Sequence, residues 1–210
     1  MRSTVLSRSL AVLAAVCFCS AALANFDLEL TSNGGFETGD TSDWVSFPTA
    51  NSTFNITSDA NTGAWAAEVF NNDPASSAVI KQANLGVGIV QPGDTIDISF
   101  AAKGEGVVGG VVFAEFFTEL DGGGTSSNEI LGGGPLMLTN DYQTFNFSTV
   151  AGPNTSGGVT LQFATVTGGA TGSVSVLFVD DASVTVNIPE PASALMASVL
   201  GLGVFAGRRR

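Results

Sequence analysis

Thr95-Ile96-Asp97-Ile98-Ser99-Phe100 alternates polar and apolar side chains without a break. A strand turns successive side chains to opposite faces, so a period of two marks one face in a core and the other in solvent. Working outward, Tyr142 to Ser148 repeats the period with Phe145 and Phe147 inward, and Val159-Thr160-Leu161-Gln162-Phe163 does so again. Ser173-Val174-Ser175-Val176 carries it toward Phe178. Turn formers separate these runs: Gln91-Pro92-Gly93-Asp94, Asp121-Gly122-Gly123-Gly124, Gly132-Gly133-Gly134-Pro135 and Gly168-Gly169. No capped stripe of period 3.6 interrupts them. Short strands with turns about every ten residues predict an all-β body, an antiparallel sandwich or barrel.

Both ends of the chain read differently from this body. Arg2 and Arg8, the apolar run Leu10 to Phe18 and the small residues Ala22-Leu23-Ala24 form a signal peptide over residues 1–24, with cleavage expected after Ala24. Both cysteines, Cys17 and Cys19, fall inside it and lack the small-residue setting of a lipobox, so the body, residues 25–187, has neither thiol nor disulfide. At the other end, Pro189-Glu190-Pro191 breaks the last strand, and the apolar stretch from Ala192 to Ala206 leads to Arg208-Arg209-Arg210. A helix of about 16 residues spans roughly 24 Å, a little under the ~30 Å hydrocarbon core, and the terminal arginines reach the headgroups. The segment is expected to cross the inner membrane as a single transmembrane helix with its arginines inside.

In order and position, Pro189, Glu190, Pro191, the apolar segment and Arg208, Arg209 and Arg210 resemble the PEP-CTERM sorting signal of Gram-negative bacteria. That resemblance implies that residues 188–210 are recognised and removed by an exosortase. It also implies signal peptidase as a partner, a transient inner-membrane precursor, and delivery to the cell surface or extracellular matrix.

Charge limits what the body can bind. The chain carries 7 basic and 19 acidic residues. Five of the bases lie in the two tails, leaving Lys81 and Lys103 against all the acids except Glu190. Such a surface repels phosphate backbones and argues against nucleic acid. No histidine occurs in the chain, so Ser-His-Asp, Cys-His and histidine-dependent zinc chemistry are excluded from the body. Two-carboxylate glycoside hydrolysis is compatible with the composition, but no pair of acids stands out.

Four short motifs refine the body. They are Asn33-Gly34-Gly35-Phe36-Glu37-Thr38-Gly39 followed by Trp44, Val90 to Thr95 leading into the strand that ends Ala101-Ala102-Lys103-Gly104, Tyr142-Gln143-Thr144-Phe145, and Phe178-Val179-Asp180-Asp181-Ala182-Ser183-Val184. The series resembles the jelly-roll, galactose-binding-like domains of carbohydrate-binding modules, which implies an antiparallel jelly-roll β-sandwich.

Continuing the alternation from Val174, Val176 and Phe178 puts Asp180 on the core side, where a carboxylate needs a partner. Calcium is one solution. The resemblance implies Glu37 as a second ligand of a structural calcium beside Asp180 and Asp181. The other reading is a β-bulge that leaves Asp180 and Asp181 as solvated strand-end acids. Trp44 and Trp65 are the candidates for stacking on a sugar ring, although tryptophans in small sandwiches more commonly belong to the core. The expected function is that of a non-catalytic exported protein of the cell surface or exopolysaccharide matrix. The alternatives are a carbohydrate-binding module with a specific glycan and, behind it, a glycoside hydrolase.

Overall fold

The computed structural model describes residues 25–189. The signal peptide, Glu190, Pro191, the apolar tail and Arg208–Arg210 lie outside the described residues, and Pro189 is the last residue of the final strand. Among the described residues no helix is long and apolar enough to cross a membrane.

Among the described residues, eleven strands form two facing antiparallel sheets. One contains β3 (Ser52–Thr57), β4 (Ala66–Asn71), β11 (Val174–Pro189), β6 (Thr95–Val107) and β9 (Gln143–Val150), in that order, with β1 (Asn25–Glu29) also paired to β11. The other runs β2 (Val45–Phe47), β5 (Ser77–Leu85), β10 (Val159–Val166), β7 (Val111–Glu119) and β8 (Thr125–Ile130). The chain passes repeatedly from one sheet to the other, at its shortest through the three residues 108–110 between β6 and β7. The all-β expectation and the jelly-roll sandwich are both met, with a 3-10 turn at Leu131–Gly133 as the sole helical piece among the described residues.

The quoted alternations sort as read. Ile96, Ile98 and Phe100 of β6, Phe145 and Phe147 of β9, and Val159, Leu161 and Phe163 of β10 all pack in the core. An aromatic contact joins the sheets, Phe100 meeting Phe163 edge to face at 4.9 Å between ring centroids, and within its own sheet Phe100 stacks on Phe145 at 5.3 Å. Such pairs add to the burial of their large apolar surfaces.

One parity differs from the sequence reading. In β11 the core takes Ser175, Leu177 and Val179, then Ala182, Val184 and Val186. Its ladder with β6 steps from Asp180↔Ala101 to Ser183↔Ser99, three residues against two. Asp181 sits at φ 50° within this step. A one-residue bulge therefore inverts the alternation. Val176 and Phe178 face outward, as Phe178 pairs with Lys103. Asp180 shares that outer face and is nonetheless fully buried.

Candidate functional site

Two assemblies carry the chemistry of the body: an acidic clasp at one end of the sandwich, and a mixed aromatic and polar surface on the outside of the five-stranded sheet.

The clasp explains Asp180. The segment from Ser58 to Trp65 closes over the bulge, and Asn61 N and Thr62 N donate to Asp180 Oδ2 at 2.8 and 3.0 Å, while Asp181 N donates to Oδ1 at 2.7 Å. Asp181 accepts from Asn61 Nδ2 at 2.8 Å and Thr62 Oγ1 at 2.6 Å. Glu37 takes the other end of the same loop, accepting Ala64 N and Trp65 N at 3.0 Å each. The opening motif and the last strand thus meet, as Ala182 N also donates to Gly34 O at 2.9 Å. A Cβ at Gly34 would lie 1.8 Å from Ala182 O, so only glycine permits this approach.

Burial pushes the Asp180 carboxyl up, the charge of Asp181 adds to that push, and three backbone amides oppose both. Tyr142 donates to Asp59 O at 2.6 Å, and its hydroxyl is also raised, first by burial and then by Asp180, Asp59 and Asp181. The sequence grouping of Glu37, Asp180 and Asp181 is therefore spatially real. Each of their six carboxylate oxygens already accepts an N–H or O–H. Among the described residues no group of three or more acidic side chains converges as metal ligands do. The expectation of calcium rests on the resemblance, and the side chains as arranged bind amides.

The two tryptophans part company. Trp44 is buried, stacks on Phe36 at 5.3 Å, lies 6.0 Å from Phe163, and donates its indole N–H to Asn33 O at 3.2 Å. It has no face to offer a ligand. Trp65 is 38% exposed at the clasp, its backbone N–H bound to Glu37.

The richer surface belongs to residues that the sequence reading did not single out. Strand registers line up outward-facing side chains in rows across the five-stranded sheet. One row is Phe47, Val79, Ala164 and Phe113; the next is Val45, Lys81, Gln162, Glu115 and Ile130; a third holds Thr160, Phe117 and Asn128. At about 4.8 Å between strands the middle row spans about 19 Å. Phe47 is 51% exposed, Val45 53% and Ile130 39%, and Phe113 and Phe117 are half-buried.

Polar groups between the rings are held in place. Gln162 Nε2 donates to Glu115 Oε2 at 2.6 Å and Thr160 Oγ1 to Glu119 Oε1 at 2.5 Å, while Lys81 Nζ stands 5.3 Å over the Phe47 ring. Flat apolar rings beside fixed donors and acceptors match a ligand with apolar faces and a polar rim. One signal in the sequence pointed here. Phe116-Phe117 are consecutive in a strand, so one of them must turn outward.

No protein-family model matches the chain, and no curated protein does. Solved structures match in fold. The enzymatically active domain of bacteriophage CBA120 tailspike protein 4 aligns at TM-score 0.59 and 13% identity over 75% of this chain, which spans only 21% of that one. The CBM22-1 xylan-binding domain of Paenibacillus barcinonensis Xyn10C aligns at TM-score 0.56 and 13% identity, over 79% of this chain and 98% of its own. The cyclase Fisc from Fischerella sp. TAU aligns at 0.55 and 13%, over 79% and 100%. At such identities the likeness is one of architecture: the chain is a jelly-roll β-sandwich of the kind found in carbohydrate-binding modules and also in a cyclase.

Proposed function

We propose that the body binds an uncharged polysaccharide across the outer face of its five-stranded sheet and leaves the glycan chemically intact. The carrying observation is the row structure of that face, with the exposed or half-buried rings of Phe47, Phe113 and Phe117 flanking Lys81, Gln162 and Glu115. A pyranose offers an apolar C–H face to a ring and hydroxyls to its rim, and both needs are met within one sheet surface. The xylan-binding domain of like fold supports this choice of ligand class. Scarcity of cations beyond Lys81 and Lys103 disfavours polyanions.

Spacing on this face supports binding without turnover. Glu115 and Glu119 lie four residues apart on one strand face, about 13 Å, beyond the roughly 5–9.5 Å that glycosidic carboxylates require. Titration with uncharged β-1,4-linked xylo-, gluco- and galacto-oligosaccharides is expected to give saturable heat with at least one of them and no shortened product on prolonged incubation. Product chains that disappear on Glu115→Gln would make the protein a hydrolase.

Export and surface sorting complete the proposal. The precursor is exported after cleavage behind Ala24, loses the tail beyond Pro189-Glu190-Pro191 to an exosortase, and acts in the surface or exopolysaccharide matrix. Intact mass of the native protein tests this. A mass ending near Pro189, found outside the cell, agrees; a full-length chain retained in the inner membrane contradicts it.

A further inference from the structure

On the opposite side of the sandwich, the six-stranded sheet carries an open groove of about 390 Å3. Its polar lining comes from three adjacent strands: Asp97 and Ser99 of β6, Asn146 and Ser148 of β9, and Ser183 and Thr185 of β11. The ladders arrange these as two rows, Asn146–Ser99–Ser183 and Ser148–Asp97–Thr185. Neighbours lie about 4.8 Å apart across the strands and roughly 6.7 Å apart along them. Every member is a hydroxyl, an amide or a carboxylate.

Two features set this grid apart from an ordinary solvated sheet face. Its side chains are all short, which leaves a hollow where long lysines or glutamates would fill the space. Four of them are also chemically unspent. Among the described residues the side chains of Asp97, Ser99, Asn146 and Ser148 make no hydrogen bond to protein, whereas Ser183 is taken by Glu29 and Thr185 reaches the Asp97 carbonyl at 3.4 Å.

A ligand for such a grid must be dense in hydroxyls. The one ring of the lining, Phe147, packs inward beside Phe100, no cation of the lining could meet a phosphate or uronate, and the acidic body repels polyanions. A carboxylate with four acceptor positions, beside hydroxyls and an amide that both donate and accept, complements vicinal diols. We propose that this groove is a second site for an uncharged polysaccharide, bound through its hydroxyl rim. The proposal rests on the reading that the body is a polysaccharide binder. Its consequence is bivalence: two glycan chains held on opposite faces of one sandwich, which makes the protein a cross-link in a matrix.

Amide chemical-shift mapping of the isotopically labelled protein with the same uncharged oligosaccharides separates the two sites. Expected are two sets of saturable shifts, one on β7 and β10 and one on β6, β9 and β11. Asp97→Ala combined with Asn146→Ala is expected to abolish only the second set, with melting unchanged because both side chains are exposed. Ser148→Lys, which fills the groove from another exposed position, is expected to do the same. Shifts confined to β7 and β10 would overturn the second site and leave the proposed function standing. Shifts confined to the groove would support it and remove the five-stranded face as the binding surface. No shifts anywhere would overturn both.

Discussion

Asp180 has no exposed surface and carries three backbone amides on its carboxylate. Its replacement by alanine strands those donors, and a buried donor without a partner costs about 1–3 kcal/mol. Asp180→Ala is expected to lower the unfolding free energy by about 2–4 kcal/mol in urea denaturation, relief of the buried charge offsetting part of the loss. The pH dependence has a definite sign. The folded carboxyl titrates above its ordinary range, so its protonation favours the fold. That contribution is complete below the ordinary aspartate pKa and fades as pH rises through the raised value.

The same variant decides calcium, whose proposed ligands are Glu37, Asp180 and Asp181. A cation bound only by the folded protein raises its melting temperature. The wild type is expected to melt several degrees higher in calcium than in chelator, and Asp180→Ala equally in both. Identical melts of the wild type would leave the amides as the only partners of the clasp. The alternation of Val174, Val176 and Phe178 placed Asp180 on the core side; the bulge of the other reading is present, but it leaves Asp180 buried on the outer face beneath the loop rather than solvated. A bulge adds a single residue and inverts every side chain after it. Nothing in Asp180-Asp181-Ala182 announces that insertion.

Among the strands, β11 is the longest and ties the sheet together by pairing with β4, β6 and β1. Its second half is clamped by Glu29 of β1, which accepts from Thr31 N at 2.8 Å and Val184 N at 3.1 Å and from the hydroxyls of Thr31 and Ser183. Burial alone would push this carboxyl up. The hydrogen bonds from Ser183, Thr31 and Val184 outweigh it and hold Glu29 below the ordinary glutamate range. The ionised form is therefore favoured by folding. Its contribution is present above the ordinary glutamate pKa and lost as pH falls through the lowered value. Glu29→Gln is expected to melt below the wild type at pH 7 and to converge with it toward pH 3; a gap that stays constant with pH would contradict the clamp. Strand alternation was readable where one face is polar, as in β6, β9 and β10. It failed in β7, where Val111-Val112-Phe113 and Phe116-Phe117 are apolar on both faces. The outward set there is the proposed binding surface, and its residues were hidden by the absence of the contrast that marks a strand's exposed side.

As a whole, the molecule separates its tasks by face and by end. Aromatic rings lie outside one sheet and a hydroxyl grid outside the other, while the acidic clasp joins the opening motif to the last strand. Composition argued against nucleic acid and excluded histidine- and cysteine-based catalysis from the body, and periodicity supplied the sandwich. Neither could tell which strands sit side by side, and the proposed ligand face exists only through that adjacency: Phe47 and Phe113 are 66 positions apart in the chain yet share one row. Tryptophans drew attention as the usual sugar-stacking residues, but Trp44 serves the core and Trp65 stands at the clasp.

The most direct measurement is the affinity of the protein for uncharged β-1,4-linked oligosaccharides before and after removal of the rings. Each stacked ring is worth on the order of 1 kcal/mol, about fivefold in the dissociation constant. Phe113→Ala combined with Phe117→Ala is expected to weaken the calorimetric binding event at least tenfold with the fold intact, and Trp65→Ala to leave it unchanged. Undiminished affinity in the double variant, or a loss with Trp65→Ala alone, would contradict the assignment of the five-stranded face.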